Sequence, residues 1–241
     1  MRASSSNSRK TMNSFILNRP DDFLRMSKGR IVGTVFKWLV LLMVCSIMLR
    51  ILCIAIYMSQ GINPMELTRF GGDPTGYIGR GSWKTYVRLL CITPLMEELM
   101  FRFALSFKRA GVAIWAGLLP VICAFYLHHC KTWYVLLGML AAGAVLAGLI
   151  IRFTTVQQWK EWRSRYIVPA MWTAAVGFGL LHLRAFTVLD WQLLPFALTT
   201  ILVPFAGGCA ITYARVNLGF IWGVLLHCLI NLPGVLIIMF S

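Results

Sequence analysis

Acidic residues are scarce in this chain: eight Asp and Glu stand among 241 residues, against 23 Lys and Arg. Charged residues of either sign make up 13%, where a soluble domain carries about 25%. The length has room for one or two soluble domains, but the charge to cover them is missing. No internal repeat and no low-complexity tract is visible. Cysteine is present but never as Cys-x-x-Cys, and most of the seven thiols lie inside apolar runs. A zinc–thiolate site or a disulfide framework is therefore not expected, and the thiols read as small packing residues. There is no His-Glu-x-x-His motif. There is no Gly-x-Ser-x-Gly elbow and no Ser/Lys arrangement either, which argues against a serine nucleophile. Apolar residues begin in earnest only at Ile31, too late for an ordinary signal peptide, and no Ala-x-Ala cleavage site follows.

Hydrophobic residues, in contrast, make up 59% of the chain. A helix needs about 20 apolar residues to cross the hydrocarbon of a bilayer. Seven runs qualify as candidates: Ile31–Met58 (interrupted by Lys37 and Arg50), Tyr86–Phe107, Gly111–Leu127, Trp133–Ile151, Ile167–Leu183, Trp191–Tyr213 and Leu218–Phe240. The Gly- and Pro-rich stretch Ser59–Lys84 reads as a loop, with room for an eighth, re-entrant half-span. The expected fold class is all-α: a polytopic membrane bundle of seven or eight helices over 31–241, with the active site inside the bundle. Residues 1–30 form a basic, flexible cytoplasmic tail, in which Asp21-Asp22-Phe23-Leu24 can start a short interfacial helix. The net charge of +15 would suit nucleic acid. Its cations alternate between loops, however, and do not form one stripe, so no nucleic-acid partner is expected. With the N-terminus in the cytoplasm, the inner side holds fourteen Lys and Arg, among them Lys108, Arg109, Arg152, Lys160, Arg163, Arg165 and Arg215. The outer side holds five: Arg69, Arg80, Lys84, Lys131 and Arg184. That asymmetry obeys the positive-inside rule and predicts a multi-pass integral membrane protein with its N-terminus in the cytoplasm; seven spans put the C-terminus outside, and one more reverses that end.

Against this background two of the few acids stand where a carboxylate is most expensive. Glu97 and Glu98 lie side by side in Thr93-Pro94-Leu95-Met96-Glu97-Glu98-Leu99-Met100-Phe101-Arg102. An ionised side chain at the bilayer centre costs at least ~2.5 kcal/mol on insertion scales, and such residues are usually functional, with a partner nearby. Arg102 is four residues past Glu98, on the same helical face, and suits a structural ion pair with it. Glu97 lies about 100° around the helix, off that pairing face. A second polar feature is Phe178-Gly179-Leu180-Leu181-His182, with Phe178 one turn ahead of His182 as a packing residue. A third is His227-Cys228-Leu229-Ile230-Asn231, whose polar ends share a face. The remaining histidines, His128 and His129, fall in a loop.

Each residue alone has a structural explanation, since a buried His or Asn can simply bond a neighbouring helix. One Glu, two His and one Asn from three separate spans make a hydrolytic set when taken together. Peptide hydrolysis needs an activated water, a proton shuttle and donors for the tetrahedral oxyanion. A carboxylate in a low-dielectric site can act as the general base. His182 can hold or polarise the water, and His227 and Asn231 can donate to an oxyanion. Alternatively, Glu97, His182 and His227 can bind zinc. Asn231 can then only assist, because an amide is a poor zinc ligand.

At these residues the chain resembles the CAAX protease and bacteriocin-processing family of intramembrane proteases (CPBP, or Abi), which includes the type II CAAX prenyl endopeptidases. The family pattern is Glu-Glu-x-x-x-Arg, then Phe-x-x-x-His, then His-x-x-x-Asn or Asp. The chain carries all three in order, as Glu97-Glu98…Arg102, Phe178…His182 and His227…Asn231. The stretch Tyr213-Ala214-Arg215-Val216-Asn217-Leu218-Gly219-Phe220-Ile221-Trp222 is also typical, and the resemblance covers about 84–236. It implies an intramembrane endopeptidase in which Glu97 and His182 activate water and His227 and Asn231 form the oxyanion site. Family members are described both as metalloproteases and as glutamate proteases without a catalytic metal. The implied partners are the bilayer and a peptide or membrane-protein substrate, CAAX-like or a bacteriocin. Two other classes compete: a non-catalytic scaffold or bacteriocin-immunity protein with a protease-like fold, and a proton-coupled transporter using Glu97 and the histidines as a relay. On the predicted span limits His182 lies near the outer end of its helix. To meet Glu97 and His227, that helix must extend past Arg184 or the membrane must be thin there.

Overall fold

The computed structural model describes residues 28–63, 83–126, 132–186 and 191–240. The basic tail up to Ser27, with Asp21–Leu24, most of the Gly- and Pro-rich loop, His128 and His129 lie outside the described residues. Every element within them is helical. This is the expected outcome for an apolar chain, because a helix satisfies its backbone N–H and C=O groups internally where water is absent.

The chain opens with α1 (Lys28–Ser59). Next comes α2 (Trp83–Val87), which passes through a π-helical turn, Arg88–Ile92, into α3 (Thr93–Phe101). A 3-10 turn, Phe103–Ser106, leads to the hairpin of α4 (Arg109–Tyr126) and α5 (Trp133–Phe153). Helix α6 (Val156–Leu181) is extended by a 3-10 turn, His182–Ala185, and the chain ends in α7 (Leu194–Leu218) and α8 (Phe220–Phe240). Four helical stretches are long and apolar enough to cross a membrane: Val32–Ser59, Trp133–Phe153, Val156–Ala185 and Trp191–Leu218. Arg109–Ala124 and Phe220–Leu236 are shorter apolar helices.

Three expectations are corrected here. The span predicted over Tyr86–Phe107 is not one helix: it contains the π turn, stops at Phe101, and gives way to a 3-10 turn capped by Phe107 at φ 49°. Hydropathy runs on through this break because the residues after Arg102 remain apolar. The helix predicted from Ile167 begins eleven residues earlier, at Val156. A capping box starts it there, with Thr155 Oγ1 accepting from Gln158 N–H while Gln158 Oε1 accepts from Thr155 N–H. Arg215, assigned to a loop, lies in the last turn of α7 and is buried. The loop between α7 and α8 is Gly219 alone, whose φ of +110° is open to glycine at little cost.

Helix α7 is the axis of the molecule, with contacts to α1, α6 and α8. Near the start of α7, Phe196 and Ala197 pack with Cys53 and Tyr57 of α1 and with Phe186. Near its other end, Ala210 and Tyr213 pack with Leu39 of α1, flanked by Leu226 and Ile230 of α8. Arg50 is accommodated in α1 by lying over the Phe196 ring, 5.3 Å from its centroid. The α4–α5 hairpin closes on a glycine pair, Gly117 against Gly143. Outward faces of α1 and α5 carry exposed Val, Ile, Leu and Met, a surface that lipid covers better than water.

Candidate functional site

Helix α3 carries both carboxylates inward: Glu97 is 4% exposed and Glu98 0%. The helix ends at Arg102, whose backbone leaves the helical region (φ −126°, ψ −11°) while its N–H still bonds the Glu98 carbonyl at 3.0 Å. The Arg102 side chain turns into the core and is fully buried. It pairs with Glu98 Oε1 through Nη1 and donates from Nε to Thr212 Oγ1 of α7 at 2.8 Å. Its guanidinium carbon lies 4.5 Å from the centroid of the Phe178 ring. A Cβ at Gly208 would sit 3.0 Å from both Arg102 Nη2 and Phe178 Cδ1, so α7 packs tightly against these two side chains there.

His227 of α8 joins the two carboxylates. Its Nδ1 lies 3.0 Å from Glu98 Oε1, and its Nε2 lies 3.3 Å from Glu97 Oε2. The sequence spacing offers Glu97 no local partner; the fold supplies one from another helix. Neutral imidazole carries one N–H, and two carboxylates carry none. Each contact needs one proton, on its imidazole nitrogen or on its carboxylate.

His182 begins the 3-10 turn after α6, so the helical path does continue past Arg184 to Ala185. Its Nδ1 lies 2.8 Å from the Phe178 carbonyl. A carbonyl only accepts, so Nδ1 holds the proton and the neutral ring keeps its lone pair on Nε2. Phe178 does more than pack one turn before His182. Its ring meets His182 edge-on at 5.0 Å, His227 at 5.3 Å and Phe101 at 5.9 Å, and it carries Arg102 on its face. Asn231 lies one turn beyond His227, and its Nδ2 donates to the Leu89 carbonyl of the π turn at 3.3 Å. A π turn in a helix is often found beside a functional site.

Some participants were not singled out by sequence. Thr212 gives no signal, because a Thr in an apolar helix is unremarkable until its partner is known. Arg215 reads as a loop cation, yet it lies 8% exposed, with Nη2 donating to the Phe103 carbonyl at 3.3 Å. It faces the far side of Glu98: a Cβ at Gly223 would sit 3.3 Å from Glu98 Oε2 and 3.4 Å from Arg215 Cβ. The signal for it is the charge count, since two buried acids call for buried cations.

Zinc would draw on these same donors. His227 Nε2 and Glu97 Oε2 are close enough to share an ion, and both histidines place Nδ1 against an oxygen, as metal-binding imidazoles do. A third donor is not gathered with them: no group of three His, Cys, Asp or Glu among the described residues is arranged to hold a metal.

Compared with known proteins, the chain matches no family model, no curated protein and no solved structure.

Proposed function

We propose that the chain is an intramembrane endopeptidase of the CPBP kind, cleaving peptide bonds of membrane-associated or CAAX-like substrates. In this reading the shorter apolar helices and the α2–α3 segment cross the membrane with the four long ones, giving seven spans and an N-terminus in the cytoplasm. The observation that carries the proposal is the buried contact between Glu97 and His227, with His182 and His227 both edge-on to the ring of Phe178.

The reaction adds water across a C–N bond. Glu97 takes the proton of a water held against His182 Nε2 as its oxygen attacks the scissile carbonyl. The oxyanion that forms accepts hydrogen bonds from His227 Nε2–H and from Asn231. An Asn amide has two N–H groups, so the one on Leu89 leaves another for the oxyanion. Glu97 then passes the proton to the leaving nitrogen and the C–N bond breaks. Glu98, held by Arg102, fixes the ring of His227 from behind. No step runs through a metal.

The test is cleavage of a labelled peptide by purified protein. Glu97→Gln keeps size and polarity but removes proton acceptance, so turnover should fall at least ~100-fold in a folded protein. Asn231→Ala should lower turnover ~100- to 1000-fold with little change in KM, the pattern of a lost oxyanion donor. Full activity in folded Glu97→Gln sinks the assignment. One tightly bound zinc that disappears together with activity when His182 or His227 is replaced would make the protein a metalloprotease and end the oxyanion role of His227.

A second reading has its own observation. Glu97, His227 and Glu98 form an unbroken chain of titratable groups, which also suits a proton relay in a transporter. Proton flux in vesicles, lost in Glu97→Gln without any peptide cleavage by wild type, would favour it.

A further inference from the structure

We propose that the corner where α4, α5 and α6 meet binds the headgroups of anionic phospholipids. Six cations are gathered at this end of the molecule: Lys108, Arg109, Arg152, Lys160, Arg163 and Arg165. The one carboxylate among the described residues there, Glu161, accepts from Gln157. None of the six cations takes part in an ion pair among the described residues. The corner is built and not merely charged. Arg109 donates from Nη2 to the Ile151 carbonyl, tying the start of α4 to the end of α5, and its buried Nε has no hydrogen-bond partner. Trp159 donates to Thr154 Oγ1 at 2.8 Å and packs edge-on against Phe107 and Trp162.

Charge complementarity calls for an anion, and the apolar surroundings say which kind. Phe153 is 73% exposed and Val156 55%, directly beside Arg152 and the start of α6. Tryptophans mark the depth of a membrane interface, and basic pockets between helices at that depth hold lipid headgroups. A soluble anion would use the cations and leave the exposed aromatic and aliphatic rim uncovered. A phospholipid uses both.

The experiment uses the full chain in nanodiscs of phosphatidylcholine with or without phosphatidylglycerol, with bound lipid counted by native mass spectrometry. Wild type should retain phosphatidylglycerol in preference to phosphatidylcholine, and its melting temperature should rise with the phosphatidylglycerol fraction. The triple change Lys160→Gln, Arg163→Gln and Arg165→Gln should weaken that preference at least ~10-fold. Arg163→Lys with Arg165→Lys should keep it. Lys84→Gln with Arg88→Gln, on the segment entering α3 from the opposite end, should also keep it. If the triple variant folds poorly, Arg163→Gln alone gives the same comparison with a smaller loss. An unchanged preference in these variants overturns the proposal. So does an equal loss in the Lys84/Arg88 control, or an equal rise in melting temperature from inorganic phosphate. None of these readouts depends on peptide cleavage, so they stand or fall apart from the protease reading.

Discussion

A guanidinium with no exposed surface persists only when its charge and donors are answered from within. Arg102 is answered on each side: by the Glu98 carboxylate, the Thr212 hydroxyl and the face of Phe178. Removing one partner of such a pair strands the other charge, which costs about 3–5 kcal/mol, whereas removing both can be close to neutral. Arg102→Ala should therefore lower the melting temperature in detergent sharply, and Arg102→Met combined with Glu98→Gln should recover much of the loss. If Arg102→Ala is as stable as wild type but inactive, the arginine acts in the chemistry instead. The pairing of Glu98 with Arg102 was legible in the sequence because it is local, four residues along one helix. The partner of Glu97 was not, because His227 comes from another helix 130 residues away and only the packed bundle joins them. Arg215 was misplaced for a related reason: hydropathy treats a cation at the end of an apolar run as a boundary, although here it lies buried in the last turn of α7 and donates to the Phe103 carbonyl.

Among the elements, hydropathy located α1, α5, α7 and α8 to within a few residues, since long apolar runs have little choice but to be helices. It failed where an end is set by a specific interaction. The capping box that starts α6 lies in polar sequence, and the break after Phe101 follows from Arg102 turning inward. Helix–helix contact was also illegible, because a glycine in an apolar run looks the same on either face. The α4–α5 hairpin makes this testable. A Cβ on Gly143 would overlap the Gly117 backbone carbonyl, which has nowhere to go. A Cβ on Gly117 would meet Ala147 and the Gly143 carbonyl at 3.6 Å, an ordinary contact. Forcing atoms into a tight contact costs about 1–3 kcal/mol. Gly143→Ala should lower the melting temperature while Gly117→Ala leaves it near wild type or slightly raised. Equal effects from the two substitutions would mean that the hairpin is not packed in this way.

For the whole molecule, the contacts sort the described ends into two groups. Arg215 reaches the Phe103 carbonyl, Phe107 meets Trp159, and Arg109 meets Ile151, so the turns near 103–109, 152–163 and 215–220 lie together. Helix α1 runs antiparallel to α7: Leu39 packs beside Ala210 and Tyr213, while Tyr57 packs beside Phe196. The N-terminal end of α1 therefore lies with this first group. The second group holds the 3-10 turn after α6 and the start of α7, and α8 runs from Phe220 toward that side. Lys108, Arg109, Arg152, Lys160, Arg163, Arg165 and Arg215 stand in the first group, while Lys84 and Arg184 are at the second. On the proposed seven-span reading, the positive-inside rule would put the first group in the cytoplasm and the two ends of the described chain on opposite sides of the membrane. Two reporters read this directly. A fluorescent protein that matures only in the cytoplasm should be bright when fused before Met1 and dark after Ser241. A phosphatase that is active only outside should show the reverse. Both ends reporting the same side would overturn the seven-span proposal.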